Sequence, residues 1–325
     1  MTRYSTMSET LSYEAIAEKQ AKARAQIQRI RLNDPRQQRA KFEIERLRLQ
    51  GLSRLSPDDP TSGLAIISNS GAGKSATAKL VISDFQKSPA YDPAKKQIVH
   101  VTLATTSSAR SAIVSCLMAI SDEYPKKTVT EEEATKKLQI AIEENGVELL
   151  ILDEVNHCAV KAQGKDVADT FKNMLTRGWV PIVFMGTNEG HKMFTRNPEL
   201  RRRCTFSKAL LPLDANVEED ADLFAAIAAG MDNEIVKLGI MSEVADLGDP
   251  DIAYALCKAC QGMIGELSVT LEDAVCFAIE RGRDRIGVRD LHQAVEIRNM
   301  MAGVDEETQK LKRNPFEPLL KGSDR

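Results

Sequence analysis

The sequence predicts an α/β protein: a parallel sheet flanked by helices, followed by a small all-helical domain. Three observations predict it. Between residues 61 and 213, four short apolar runs alternate with helical segments, the pattern of βαβ units. The first run ends in a glycine-rich loop that opens a helix. After Asp214 the strand signals stop and helices follow one another.

Each element has its own signal. Residues 12–50 carry helical spacing, broken at Asn33-Asp34-Pro35, where Asp34 suits an N-cap and Pro35 the first helical position. Leu55–Gly63 is a turn-rich linker. Leu64–Ile67 is the first strand, and a helix starts at about Lys74. Gln97–Leu103 is the second strand and Ser108–Ser121 a helix. Val147–Leu152 and Val180–Met185 are the third and fourth strands. A short strand around Lys208–Leu211 is expected to close the sheet. Asp214–Leu238, Asp249–Gln261, Glu266–Arg281 and Val288–Met301 show apolar residues three and four apart, as helices do. Asp305–Arg325, with Asn314-Pro315-Phe316, reads as an extended tail that could hook a partner.

The 325 residues are 42% apolar and 28% charged, enough for a well-filled core. Lys and Arg number 44 against 47 Asp and Glu, a net charge of −3 that by itself argues against a nucleic-acid binder. The sum hides two opposed segments. Lys19 to Arg48 holds ten basic and three acidic residues, a net of +7, whereas Asn216 to Asp251 holds ten acidic and one basic, −9. A near-neutral sum therefore leaves nucleic acid open as a partner. No apolar run approaches the roughly 20 residues that span a bilayer. The N-terminus shows no secretory signal pattern. Six scattered cysteines fit a cytoplasmic protein whose thiols act as small core residues. Cys257 and Cys260 have CxxC spacing without a second pair, so a buried helix face is the simpler account than a metal site.

The strongest chemical signal is Ser68-Asn69-Ser70-Gly71-Ala72-Gly73-Lys74-Ser75, running into Ala76, between a strand and a helix. It is a Walker A loop in its required context. Its backbone N–H groups and the helix N-terminus favour phosphate. Lys74 would neutralise the β- and γ-phosphates of ATP, and the Ser75 hydroxyl would ligate Mg²⁺. Ser68 stands where the usual first glycine would be, which matters only if that position needs φ > 0. The third strand delivers Asp153-Glu154, a Walker B pair: Asp153 toward the Mg²⁺, Glu154 to polarise an attacking water. The fourth strand ends in Gly186-Thr187-Asn188, where Asn188, or else Thr187, could hold that water as a sensor 1, or simply cap a helix. In Asn197-Pro198-Glu199-Leu200-Arg201-Arg202-Arg203, Arg203 and Arg202 are candidates for an arginine finger reaching a neighbouring subunit's γ-phosphate. A solvated basic turn is the alternative. His157, His100, His292 and Trp179 read as structural groups.

This order of motifs resembles an AAA+ ATPase, a P-loop NTPase with a helical lid. More narrowly, LLILDEVNH, PIVFMGTNEG, NPELRRRC and QGMIGELSVTLEDAVCFAIERGRDRIGVRDLHQAV, with its Gly262-x-x-Gly265 turn, resemble the TniB/TnsC transposition regulators, relatives of the phage Mu B protein. The resemblance covers about residues 35–300, and the chain is expected to divide into a basic helical extension (1–60), a nucleotide-binding core (61–213), a lid (214–301) and a tail (302–325). No arginine follows the Gly262 turn, where many AAA+ lids carry a sensor 2. It implies a homo-oligomer, filament or ring, that assembles on duplex DNA with ATP and Mg²⁺, selects a target and recruits a DDE transposase, with a targeting factor as a further partner. Hydrolysis then disassembles it. It also implies DNA contacts at Thr106, Ser107 and Arg110 and at Lys126, Lys127 and Thr128, where hydroxyls and cations would touch phosphates without reading bases. Two other classes remain open at this stage: a helicase loader of the DnaC/IstB kind, and a P-loop kinase for a small molecule, which Glu154 and the arginines disfavour.

Overall fold

A computed structural model describes residues 13–104, 108–121, 130–159, 164–302 and 313–322. They fall into two compact units: Asn33–Leu211, and a second that joins the chain up to Leu32 with the chain from Pro212. The first helix, α1 (Tyr13–Ile27), belongs to the second unit. The next, α2 (Pro35–Leu52), opens the first, with Asp34 as its N-cap accepting the Arg36 amide.

The Asn33–Leu211 unit then runs β1 (Gly63–Ile67), α3 (Lys74–Phe85), β2 (Ile98–Thr102), α4 (Ala109–Ser121), α5 (Glu131–Glu144), β3 (Leu149–Asp153), α6 (Asn156–Ala159), α7 (Gly164–Thr176), β4 (Ile182–Gly186), α8 (His191–Arg196), α9 (Pro198–Arg203) and β5 (Cys204–Phe206). All strand pairs are parallel, in the order β2-β3-β4-β1-β5. The strands β1, β3 and β4 are buried along their whole length. Helices on both faces leave no place for polar alternation, which is why these strands read as unbroken apolar runs. Pairing aligns their ends: Ile67 sits opposite Gly186, and Thr102 opposite Asp153. The segments after β1, β3 and β4 therefore leave the sheet at one edge, the carboxyl edge where open α/β sheets bind ligands.

The closing strand lies earlier than expected. Cys204–Phe206 pairs with Gly63–Ala65, and Lys208–Leu211 forms a turn instead. A T-shaped series Phe171–Phe184–Phe194–Phe206, with centroids 6.0, 5.6 and 5.0 Å apart, anchors this side of the sheet. Such pairs contribute about 0.5–1.5 kcal/mol each beyond their buried area. The Ser207 amide makes the last bond to β1, to Ala65 O, and beyond it Lys208–Leu211 turns and buries Leu210 without forming a strand.

The second unit packs α1 with α10 (Glu218–Lys237), α11 (Pro250–Ala259), α12 (Ile264–Glu280), α13 (Val288–Ala302) and α14 (Glu317–Gly322). Arg24 on α1 pairs with Asp273 at 2.7 Å, and Gln28 donates to Glu272 at 3.1 Å. The turn before α12 needs glycine: Gly262 has φ 68°, and an added Cβ would lie 1.9 Å from Leu213 O. Cys257 and Cys260 are buried, free thiols; burial pushes Cys260 up to about 12. The tail expectation is corrected here. Phe316 is fully buried in this unit's core, and Asn314 donates to His292 O at 2.9 Å. Burying a phenylalanine in an apolar core outweighs leaving it in water, so Phe316 is no free hook.

Candidate nucleotide site

The loop between β1 and α3 turns on two glycines in the left-handed region, Gly71 (φ 79°) and Gly73 (φ 86°). A side chain at either would cost about 1–2 kcal/mol. Ser68 is not left-handed, which answers the departure from the usual glycine. Its Oγ donates to Leu210 O at 2.6 Å and its amide to Gly186 O at 3.1 Å. Lys74 is buried, and its Nζ donates to Ser68 O and Asn69 O, both at 2.8 Å. Burial pushes the Lys74 ammonium below its ordinary range, against the pull of Asp153 and Glu154. The first turn of α3, Lys74-Ser75-Ala76, presents backbone donors that no helical carbonyl satisfies. Ser70 is exposed at the loop tip and Ala72 buried beneath it. Gln37, from the first turn of α2, approaches the same loop: a Cβ at Gly73 would lie 3.2 Å from its Nε2.

Asp153 ends β3 almost wholly buried. Its Oδ2 accepts Ser75 Oγ at 2.6 Å and lies 3.3 Å from His100 Nε2, while its Oδ1 accepts the Glu154 amide at 2.9 Å. Burial pushes this carboxyl up, but the bonds from His100, Ser75 and the Glu154 amide together bring it below the usual aspartate range. Glu154 is half-exposed and holds φ 61°, one of few non-glycine residues in the left-handed region. Its Oε2 accepts Asn156 Nδ2 at 3.1 Å and lies 3.6 Å from His157 Nε2. At the end of β4, the Thr187 amide donates to Asn156 Oδ1 at 3.1 Å, and Asn188 Nδ2 donates to Asn69 Oδ1 in the loop.

The loop, Asp153, Glu154, Thr187 and Asn188 are thus together at one edge. The arginine cluster is not. Arg203 precedes Cys204, which pairs with Gly63 at the amino end of β1. Along the sheet that is roughly 16 Å from the start of the loop. Arg201 and Arg202 are exposed and Arg203 half-buried, and none meets a carboxylate among the described residues. Asn197 caps their helix by accepting the Leu200 amide at 2.9 Å. Of the expected DNA contacts, Arg110 lies half-buried in the first turn of α4, whereas Thr106, Ser107, Lys126, Lys127 and Thr128 lie outside the described residues. Much of the basic front has partners within its own unit: Arg24 with Asp273, Arg39 with Glu43, Lys41 with Asp84, and Arg48 with Glu45 and Glu148.

Sequence reasoning missed the roles of His100 and Asn156. His100 was visible only as a polar residue within an apolar strand, and Asn156 as one more polar residue after Asp153-Glu154. His157, read as supporting rather than catalytic, does lie beside Glu154. Trp179 packs partly buried against the sheet core, as expected.

A family model described as bacterial TniB protein matches residues 27–213. No curated protein sequence matches the chain. Among solved structures, Cdc6p from Pyrobaculum aerophilum matches with a TM-score of 0.59 at 13% identity, over 86% of this chain and 70% of that one. The ORC1 protein of Aeropyrum pernix, solved in complex with DNA, matches at 0.58 and 14% identity, over 85% and 69%. The ORC2 protein of the same organism, in its ADPNP and ADP complexes, matches at 0.56 and 16% identity, over 78% and 67%. At these identities the likeness is one of fold. The family match spans more than half of the chain and includes every residue of the site described above, and the protein is a member of the bacterial TniB family.

Proposed function

We infer that this TniB-family protein is an ATPase that binds duplex DNA in its ATP-bound form and regulates transposition. The observation that carries the reading is the convergence of Lys74, the Ser75–Asp153 pair and Glu154 at the carboxyl edge of a parallel sheet. The backbone donors of 70–76 hold the phosphate chain of ATP, and Lys74 exchanges its bonds to Ser68 O and Asn69 O for β- and γ-phosphate oxygens. A hydroxyl and a buried carboxylate already 2.6 Å apart are hard oxygen ligands suited to Mg²⁺. When bound, the ion neutralises charge developing on the phosphate oxygens. Glu154 accepts a proton from water as its oxygen attacks the γ-phosphorus, ADP leaves, and inorganic phosphate is formed. Asn188 orients that water.

Arg203 or Arg202 completes the site of another copy, because its own loop lies at the opposite end of β1. That geometry supports a homo-oligomer in which active sites are shared. The oligomer assembles on duplex DNA through Thr106, Ser107, Arg110, Lys126, Lys127 and Thr128. It recruits a DDE transposase to the target, and hydrolysis releases it.

The test is negative-stain imaging with a non-hydrolysable ATP analogue, with and without duplex DNA. Filaments or rings that require both ligands support the reading. Monomers under every condition, or assemblies indifferent to nucleotide, contradict it.

A further inference from the structure

Asn156 is tied at both ends. It opens α6 two residues after Glu154 and is 9% exposed. Its Oδ1 accepts the Thr187 amide and its Nδ2 donates to Glu154 Oε2, each at 3.1 Å. An aspartate here would satisfy Thr187 but repel Glu154, and a lysine would do the reverse. A carboxamide offers an acceptor to one and a donor to the other. The neighbouring strand end leaves room for it: a Cβ at Gly186 would lie 3.0 Å from Asn156 Oδ1 and 3.2 Å from its backbone N.

The bonds continue past Thr187. The next residue, Asn188, donates through Nδ2 to Asn69 Oδ1, within the glycine loop. A connected series therefore runs from the loop to the carboxylate: Asn69, Asn188, Thr187, Asn156, Glu154. At its end, Glu154 holds a left-handed backbone that strains a non-glycine residue. Among the described residues, Asn156 donates to its carboxylate and His157 Nε2 lies 3.6 Å from it.

We propose that Asn156 is a positioning residue that couples the Glu154 carboxylate to the contact between the glycine loop and Asn188. A phosphate oxygen that draws away the Asn188 or Asn69 amide shifts the Thr187 peptide, and through Asn156 it shifts Glu154. The group that activates water then responds to what fills the loop. This inference rests on the reading of Glu154 as that group.

Four proteins test it: the parent, Asn156→Asp, Asn188→Ala and the double variant. Asn156→Asp keeps the acceptor for Thr187 and replaces the donor to Glu154 with a second carboxylate. Asn188 is exposed, so its replacement leaves the fold intact. For each, kcat and KM for ATP hydrolysis are measured beside the Kd of an ATP analogue. Asn156→Asp is expected to lower kcat about tenfold or more while Kd changes less than about twofold. Asn188→Ala is expected to do the same, and the double variant to fall no further than the worse single one, because both act through one connection. Parental kcat in Asn156→Asp, or losses that multiply in the double variant, overturns the proposal and leaves the ATPase reading standing. A parent that neither binds nor hydrolyses ATP overturns both.

Discussion

Ser75 Oγ donates to Asp153 Oδ2 at 2.6 Å, joining the first turn of α3 to the end of β3 across a sheet in which β4 and β1 lie side by side. Two residues 78 apart in the chain thus form one pair of oxygen ligands. His100, on the edge strand β2, steadies the same Asp153 oxygen from the other side.

The bonds to Asp153 give its carboxyl a pH signature. Its pKa lies below the unfolded value, so the ionised form is favoured by folding. That contribution is fully present above the ordinary aspartate pKa of about 4 and is lost as pH falls through the lower folded value. Asp153→Asn is expected to flatten the acid limb of a plot of Tm against pH below about pH 4. An unchanged acid limb would count against these bonds.

Glu154→Gln keeps the size of the side chain and its contact with Asn156 but cannot take a proton. It is expected to bind ATP with parental affinity, to hydrolyse it at least about 100-fold more slowly, and to leave DNA complexes long-lived. Hydrolysis at the parental rate would remove Glu154 from the role of base.

If Arg203 acts on a neighbour, active sites are divided between copies. Arg203→Ala and Lys74→Ala, each inactive alone, are expected to recover part of the parental ATPase rate when mixed, since some interfaces then carry an intact loop and an intact arginine. Absence of recovery across mixing ratios would argue against action in trans.

Two glycines separate conformation from crowding. Gly262 and Gly282 are both left-handed, but a Cβ at Gly262 meets the Leu213 backbone, whereas one at Gly282 meets nothing within 4 Å. Gly282→Ala is expected to cost about 1–2 kcal/mol of unfolding free energy. Gly262→Ala should cost several kcal/mol, because the Leu213 backbone must move. Equal losses by chemical denaturation would contradict the close approach.

The sheet and its loop were legible because fully buried strands leave a continuous apolar run, as in Leu64–Ile67 and Leu149–Leu152, and because left-handed turns demand glycine at 71 and 73. The break at Asp34-Pro35 was legible for the same local reason, a cap followed by a proline. What was hidden depends on distant partners. Cys204–Phe206 is three residues long and half-exposed, with no run to announce it, while Lys208–Leu211 carries apolar residues that are used elsewhere. Phe316 stands in a short stretch broken by Pro315 and Pro318, and only a fitted pocket in the helical core decides that it is buried. His100 and Asn156 acquire their partners from strand register and from the end of β4, which composition does not encode. Composition does not tell whether the +7 front packs on the core, contacts DNA or meets another subunit; several of its cations are committed to ion pairs.

The central claim is that ATP at this loop controls DNA binding. Its most direct measurement is the anisotropy of a labelled DNA duplex titrated with parent and Lys74→Ala, with and without an ATP analogue and Mg²⁺, at two salt concentrations. The account predicts binding by the parent only with nucleotide, weaker at the higher salt, and none by Lys74→Ala under any condition. Equal binding by both proteins, or by the parent without nucleotide, would contradict it.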